Sequence, residues 1–209
     1  MKKHEHIVKS LMPGGIGEEL GIEPGDKLLA INGNEIQDVF DYYYYEESEQ
    51  LLLLIEKPDG EEWELEIEKD EDESLGIEFD QSLMDEYRSC RNKCMFCFID
   101  QMPKGMRETL YFKDDDSRLS FLQGNYITLT NLSDHDVERI VKYRLEPINI
   151  SFQTTNPQLR CKMLHNRFAG EALKKVDILY RGQIEMNGQI VLCKGVNAVS
   201  YTHLRAHET

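Results

Sequence analysis

No apolar run among the 209 residues approaches transmembrane length, and Met1-Lys2-Lys3-His4-Glu5-His6 leads into a strand-like stretch without the apolar core of a signal peptide. A cytoplasmic protein that neither spans nor coats a membrane is expected. Positive charge is scarce as well: 24 basic residues face 39 acidic ones, for a formal charge of -15. Such a chain as a whole repels phosphate backbones, which makes nucleic acid a poor partner. Cysteines number five, an odd count, and three of them crowd into eight residues. That pattern suits a reducing compartment and metal ligation better than a disulfide framework. Internal repeats and low-complexity linkers are missing, whereas 40% hydrophobic content is adequate for a buried core. Two small units in direct succession are expected.

What is present begins with short strands and turns. His6 to Leu11 alternates weakly, Pro13-Gly14-Gly15 turns, and Ile16 to Leu20 makes one helical turn capped by Gly21. Further on, Pro24-Gly25 feeds a strand, and Asn32-Gly33 supplies the left-handed dihedrals of a tight hairpin. A tyrosine-bearing helix is expected over Asp38 to Glu47. Leu51 to Glu56 then pairs with Glu62 to Glu68 across Pro58-Asp59-Gly60, with Trp63, Leu65 and Ile67 on one face and glutamates on the other. The run PGGIGEELGIEPGDKLLAING resembles a PDZ domain of the bacterial type, placed at residues 1–82. This resemblance implies a module that docks a peptide or protein. The glycine loop with which a PDZ domain grips a peptide carboxylate is missing at the front. Leu75-Gly76-Ile77-Glu78-Phe79 resembles it instead, where a circularly permuted fold would put it, so that a peptide adds as a strand beside it. The alternative is a closing strand without a ligand, and Glu78 disfavours carboxylate capture because like charges repel. The acidic run Glu68 to Glu73 reads as a solvated turn.

The informative stretch is Cys90-Arg91-Asn92-Lys93-Cys94-Met95-Phe96-Cys97. Three thiolates at CxxxCxxC spacing can converge on three irons of one cubane and leave the fourth without a protein ligand. Zinc is the alternative, yet a closed structural site wants four ligands, and Cys161, Cys193 and His165 are distant in sequence. Cys161, in a helical pattern, and Cys193, in a strand from Gln189, read as ordinary apolar thiols. The motif resembles that of radical S-adenosylmethionine enzymes. The resemblance implies a [4Fe-4S] cluster on Cys90, Cys94 and Cys97, S-adenosylmethionine chelated at the open iron, a 5'-deoxyadenosyl radical as product, and Phe96 near the adenine.

Downstream, strands are expected over Asn125 to Asn131, Ile148 to Asn156 and Ile184 to Leu192, with a helix capped by Ser133 and another from Pro157 to about Val176. Alternation of strand and helix argues for parallel strands with crossover helices, and a site at their carboxyl ends. That places Thr130 and Asn131 at one strand end and Thr154, Thr155 and Asn156 at the next. The first four of these are candidate cofactor contacts, although Thr130-Asn131-Leu132 stands where radical enzymes usually carry Gly-Gly-Glu. Strand-end turn chemistry is the bland explanation for each. Lys104 and Arg107 are candidates for an anionic substrate, with surface placement as the alternative.

The whole pattern resembles the DUF512 family, in which a PDZ-like module precedes a radical S-adenosylmethionine domain. The expected class is therefore α/β: a small mostly-β PDZ-like domain (1–82), then the first part of a partial (β/α) barrel (83–197). Residues 198–209 read as a foreign tail, and a barrel cut short by C-terminal truncation is expected, a fragment that cleaves S-adenosylmethionine slowly if at all. The rival function is a non-enzymatic PDZ-type binding protein with a structural zinc or iron-sulfur site.

Overall fold

The computed structural model describes residues 5–198. Its contacts divide the chain into two compact units between Tyr87 and Arg88. The expected foreign tail, apart from Ala198, lies outside the described residues.

The first unit is an antiparallel sheet with one substantial helix. Its elements are β1 (His6–Leu11), α1 (Ile16–Glu19), β2 (Lys27–Ile31), β3 (Asn34–Glu35), α2 (Val39–Glu46), β4 (Gln50–Glu56), β5 (Glu62–Glu68) and β6 (Ile77–Phe79). The sheet order is β5-β4-β2-β1-β6, with β3 paired to β2. Alternation in β4 drives this: Leu51, Leu53 and Ile55 are buried while Leu52 faces out. Opposite them, Leu51 pairs Ile67, Leu53 pairs Leu65 and Ile55 pairs Trp63. The β2–β3 turn has positive φ at Asn32 (50°) and Gly33 (74°), as a tight hairpin needs. Asp38 caps α2 by accepting the Phe40 N–H at 3.0 Å. Gly17 is required for close approach, since a Cβ there would stand 2.8 Å from Leu11 Cδ2 and 2.9 Å from the Leu75 carbonyl oxygen.

The second unit has less regular structure. Its elements are α3 (Ser117–Gln123), α4 (Asp134–Lys142), β7 (Ile148–Ser151), α5 (Pro157–Leu164), α6 (Lys174–Arg181) and β8 (Met186–Gln189). β7 and β8 pair in parallel, Ile148 opposite Met186 through Ser151 opposite Gln189. A parallel bridge from Ile127 to Ile150 adds a third line of chain on the other side of β7. The core lies under these three lines and includes Ile127, Ile140, Ile148, Ile150 and Leu179. Ser133 and Asp136 form a reciprocal capping box at the start of α4.

Four expectations for this unit are corrected. The strand over 125–131 shrinks to the Ile127 bridge, because Leu129 has φ 63° and Asp115 takes up both the N–H and hydroxyl of Thr128. The long helix from Pro157 breaks at His165, which is left-handed (φ 46°); a 3₁₀ turn at Glu171–Leu173 precedes α6. The strand over 184–192 covers only β8, so Cys193 lies in the loop beyond it, where its N–H donates to Asn197 (2.7 Å). The second strand likewise ends at Ser151, since Gln153 has φ 64°. The parallel lines alternate with helices, as an α/β unit should.

Charge separates the units sharply. Residues 1–87 hold 26 acidic residues, six lysines and no arginine, a formal charge of -20; residues 88–209 hold 18 basic and 13 acidic residues, a charge of +5.

Candidate functional site

The cysteine loop is pinned by its own main chain. Cys90 N–H donates to the Lys113 carbonyl (2.6 Å), Lys93 N–H to Leu164 (3.0 Å) and Met95 N–H to Met163 (3.0 Å). Met163 and Leu164 end α5, and helix ends carry carbonyls without intrahelical partners, so the loop uses groups that the helix leaves over.

Asn92 links this loop to the segment after Ile127. It is 3% exposed. Its amide donates to Cys90 Sγ (3.4 Å), Thr128 Oγ1 (2.9 Å) and Thr130 Oγ1 (2.9 Å), while its oxygen accepts from Asn166 (2.7 Å). Beneath it the Asp115 carboxylate accepts the Thr128 N–H and hydroxyl, each at 2.6 Å. Burial raises the Asp115 pKa, against the effect of those bonds.

The three thiols are electrostatic neighbours. Burial pushes Cys94 up to about 12, and charge on Cys90 and Cys97 adds to the shift. Cys90 is also raised by burial, against the Asn92 amides. Lys113 lies within electrostatic range of all three and donates to Asp100 at 2.7 Å. That hydrogen bond lowers the Asp100 carboxyl and raises the Lys113 ammonium. Among the described residues no three His, Cys, Asp or Glu side chains gather as they would around a single metal ion.

Arg160 underlies the site and is fully buried. Its guanidinium donates to four carbonyls: Phe152 (3.0 Å), Ala169 (2.6 Å), Thr128 (2.8 Å) and Ser151 (3.0 Å). Burial lowers its pKa, while Asp115 and Cys94 favour the cation. Cysteine spacing could not have disclosed Arg160, Asp115 or Lys113. Asn92, inside the motif, was the one signal in plain view.

The expected site residues divide into two groups. Thr130 joins the Asn92–Asp115 network, and Asn131 donates to the Ser89 carbonyl (2.8 Å) beside the loop. Phe96 packs with Cys94 against Met163, Leu164 and Ala169. Thr154 accepts the Asn156 N–H (3.2 Å) in a local turn, and Thr155 is exposed. No described hydrogen bond joins these two to the cysteine loop. Cys161 donates to the Arg167 carbonyl and accepts the Gly170 N–H, and Cys193 packs at the edge of the same small core.

These features define a modular protein, a small antiparallel β unit followed by an α/β unit with a cysteine loop set against its strand ends. A PDZ domain model matches residues 7–57, and a radical SAM-like domain model matches residues 69–205, about two thirds of the chain. The chain belongs to the radical SAM-like domain family. The latter match starts inside the first unit, ahead of β6, and runs past residue 198. No curated protein matches the chain. No helix among the described residues is long and apolar enough to cross a membrane.

Proposed function

We propose that this chain is a radical S-adenosylmethionine enzyme whose [4Fe-4S] cluster is held by Cys90, Cys94 and Cys97, joined to a PDZ module that docks a peptide or protein. The observation that carries this reading is the set of three neighbouring thiols on a loop tied through Asn92 to the chain after Ile127. When bound, the cluster and S-adenosylmethionine supply one-electron cleavage of the sulfonium and a 5'-deoxyadenosyl radical that takes hydrogen from a substrate. Asn92 orients Cys90 and gives its sulfur an N–H donor, an interaction that raises the potential of a thiolate-ligated cluster. Lys113 balances the negative charge of three thiolates. Phe96 forms an apolar wall for an adenine, and Thr130 and Asn131 stand at the first strand end to hold its polar groups; Thr154 and Thr155 serve the next. Five unpaired thiols support a reducing, cytoplasmic setting, and the order of modules supports a place in the DUF512 family. The domain limits 1–82 and 83–197 follow the same reading.

Anaerobic reconstitution of the 209-residue chain tests it. Near-stoichiometric iron and sulfide, with broad brown absorbance, are expected. Cys90→Ala, Cys94→Ala or Cys97→Ala should each remove most of the iron, and Cys161→Ala or Cys193→Ala should not. Equal loss from Cys161→Ala, or tight zinc with no iron uptake, overturns the assignment.

A further inference from the structure

The groove between β6 and α2 is the candidate ligand site of the first unit. It has a volume of about 680 Å³ and is lined by Leu11, Val39, Tyr42, Ile77 and Phe79, among others. Among the described residues β6 pairs only with β1, so its outer edge is open to another strand. Resemblance to a PDZ domain leads one to expect free amides at Leu75 and Gly76 for a peptide's terminal carboxylate. Those amides are already used. Leu75 N–H donates to Glu46 Oε1 (2.8 Å), Gly76 N–H donates to Ser74 Oγ (3.1 Å), and the same Glu46 oxygen accepts from Ser74 (2.9 Å) and Tyr42 (3.1 Å). Glu46 is 8% exposed and comes from the last turn of α2, which holds it in place. A carboxylate of the chain itself therefore fills the position that a ligand's carboxylate would take, and a second anion there would meet both occupied donors and a like charge.

The surroundings add a sign. A second hollow shares Tyr43, Glu46 and Ser74 with the groove and is rimmed by Glu47, Glu71, Asp72 and Glu73. Glu78, on β6, lines the groove too, and among the described residues Lys9 is the one cation of the lining. The whole unit carries a formal charge of -20.

We infer that this groove takes an internal, extended segment bearing lysine or arginine, added as a strand to β6, and does not take a free C-terminal carboxylate. The inference rests on the docking role proposed above for the PDZ module and is independent of the cluster. It is tested on the full chain without iron, by fluorescence anisotropy with labelled peptides. Acetyl-GVKVKVG-amide should bind, more weakly as salt is raised. The same peptide with a free carboxyl end should bind no better, and acetyl-GVEVEVG-amide should bind at least about tenfold more weakly. In Glu46→Ala the freed Leu75 amide and the loss of the like charge should let the free-acid peptide gain about tenfold over the amide. Should that variant fail to melt cooperatively, the wild-type comparisons decide alone. Preference of the wild type for the free acid, equal binding of the glutamate peptide, or no binding of any peptide overturns the inference. None of these outcomes bears on iron content, so the cluster assignment is judged separately.

Discussion

The two units reach stability by different means. In the first, alternating Leu and Ile on β4 and the facing residues of β5 make a regular ladder with an apolar inner face. Apart from the buried Asp26, Asp38, Asp41 and Glu46, most of its surplus acid is spread over the outside, where water and salt screen it. In the second, regular strands are short, and buried polar groups hold the turns together: Arg160 on four carbonyls, Asp115 on two threonines, and Asp116 on Arg118. Apolar ladders tolerate loose detail. Buried polar networks do not, since one missing partner leaves several groups unsatisfied.

Acid should split the units most widely. Asp116 and Asp136 both titrate below the ordinary carboxylate value: burial alone would raise each, but hydrogen bonds from Arg118 and Ser133 respectively, with the charges of Arg118 and Arg88, outweigh it. Because the folded-state values are depressed, this stabilisation is complete above the unfolded value of about 3.9 and is lost as pH falls through the folded values. Asp115, raised by burial, works the other way and gives the second unit a slight gain before that loss begins. Hydrogen exchange read separately over residues 1–87 and 88–198 should show the second unit opening below about pH 4. The first, relieved of self-repulsion, should persist to lower pH. Simultaneous opening would mean that the two do not differ in this way.

Arg160→Met comes next. Four buried carbonyls lose their donor, a cost of about 4 kcal/mol to the second unit. Exchange protection in residues 88–198 should fall accordingly, with that of residues 1–87 unchanged. A loss under about 1 kcal/mol would show that the arginine is replaceable by packing. The smallest effect is the converse one. Gly17→Ala forces a Cβ against the Leu75 carbonyl, which cannot swing aside as a side chain would, and should cost the first unit about 2 kcal/mol with the second untouched. A neutral result would show that α1 shifts without strain.

Legibility followed the same division. The β4–β5 hairpin, the Asn32-Gly33 turn, the helix after Asp38 and the Ser133 cap were all readable, because each depends on residues adjacent in the chain or on strict alternation. The strand over 125–131 and the single helix from Pro157 were misread. Their residues have the right propensity, but Leu129 and His165 adopt left-handed backbone that local pattern does not announce. At the candidate site the three cysteines stood out by spacing, whereas Asp115 and Arg160 lie 18 or more positions beyond the motif and arrive by folding.

By itself the sequence determined that the chain joins two unlike modules, which thiols are crowded together, and how unevenly charge is shared along it. Those properties are local or additive along the chain. Only the tertiary structure decided that Glu46 occupies the amide of Leu75 and that Arg160 ties Thr128 to Ala169. A hydrogen bond between residues 29 positions apart has no periodicity to betray it; it exists because α2 and the β6 loop are packed side by side.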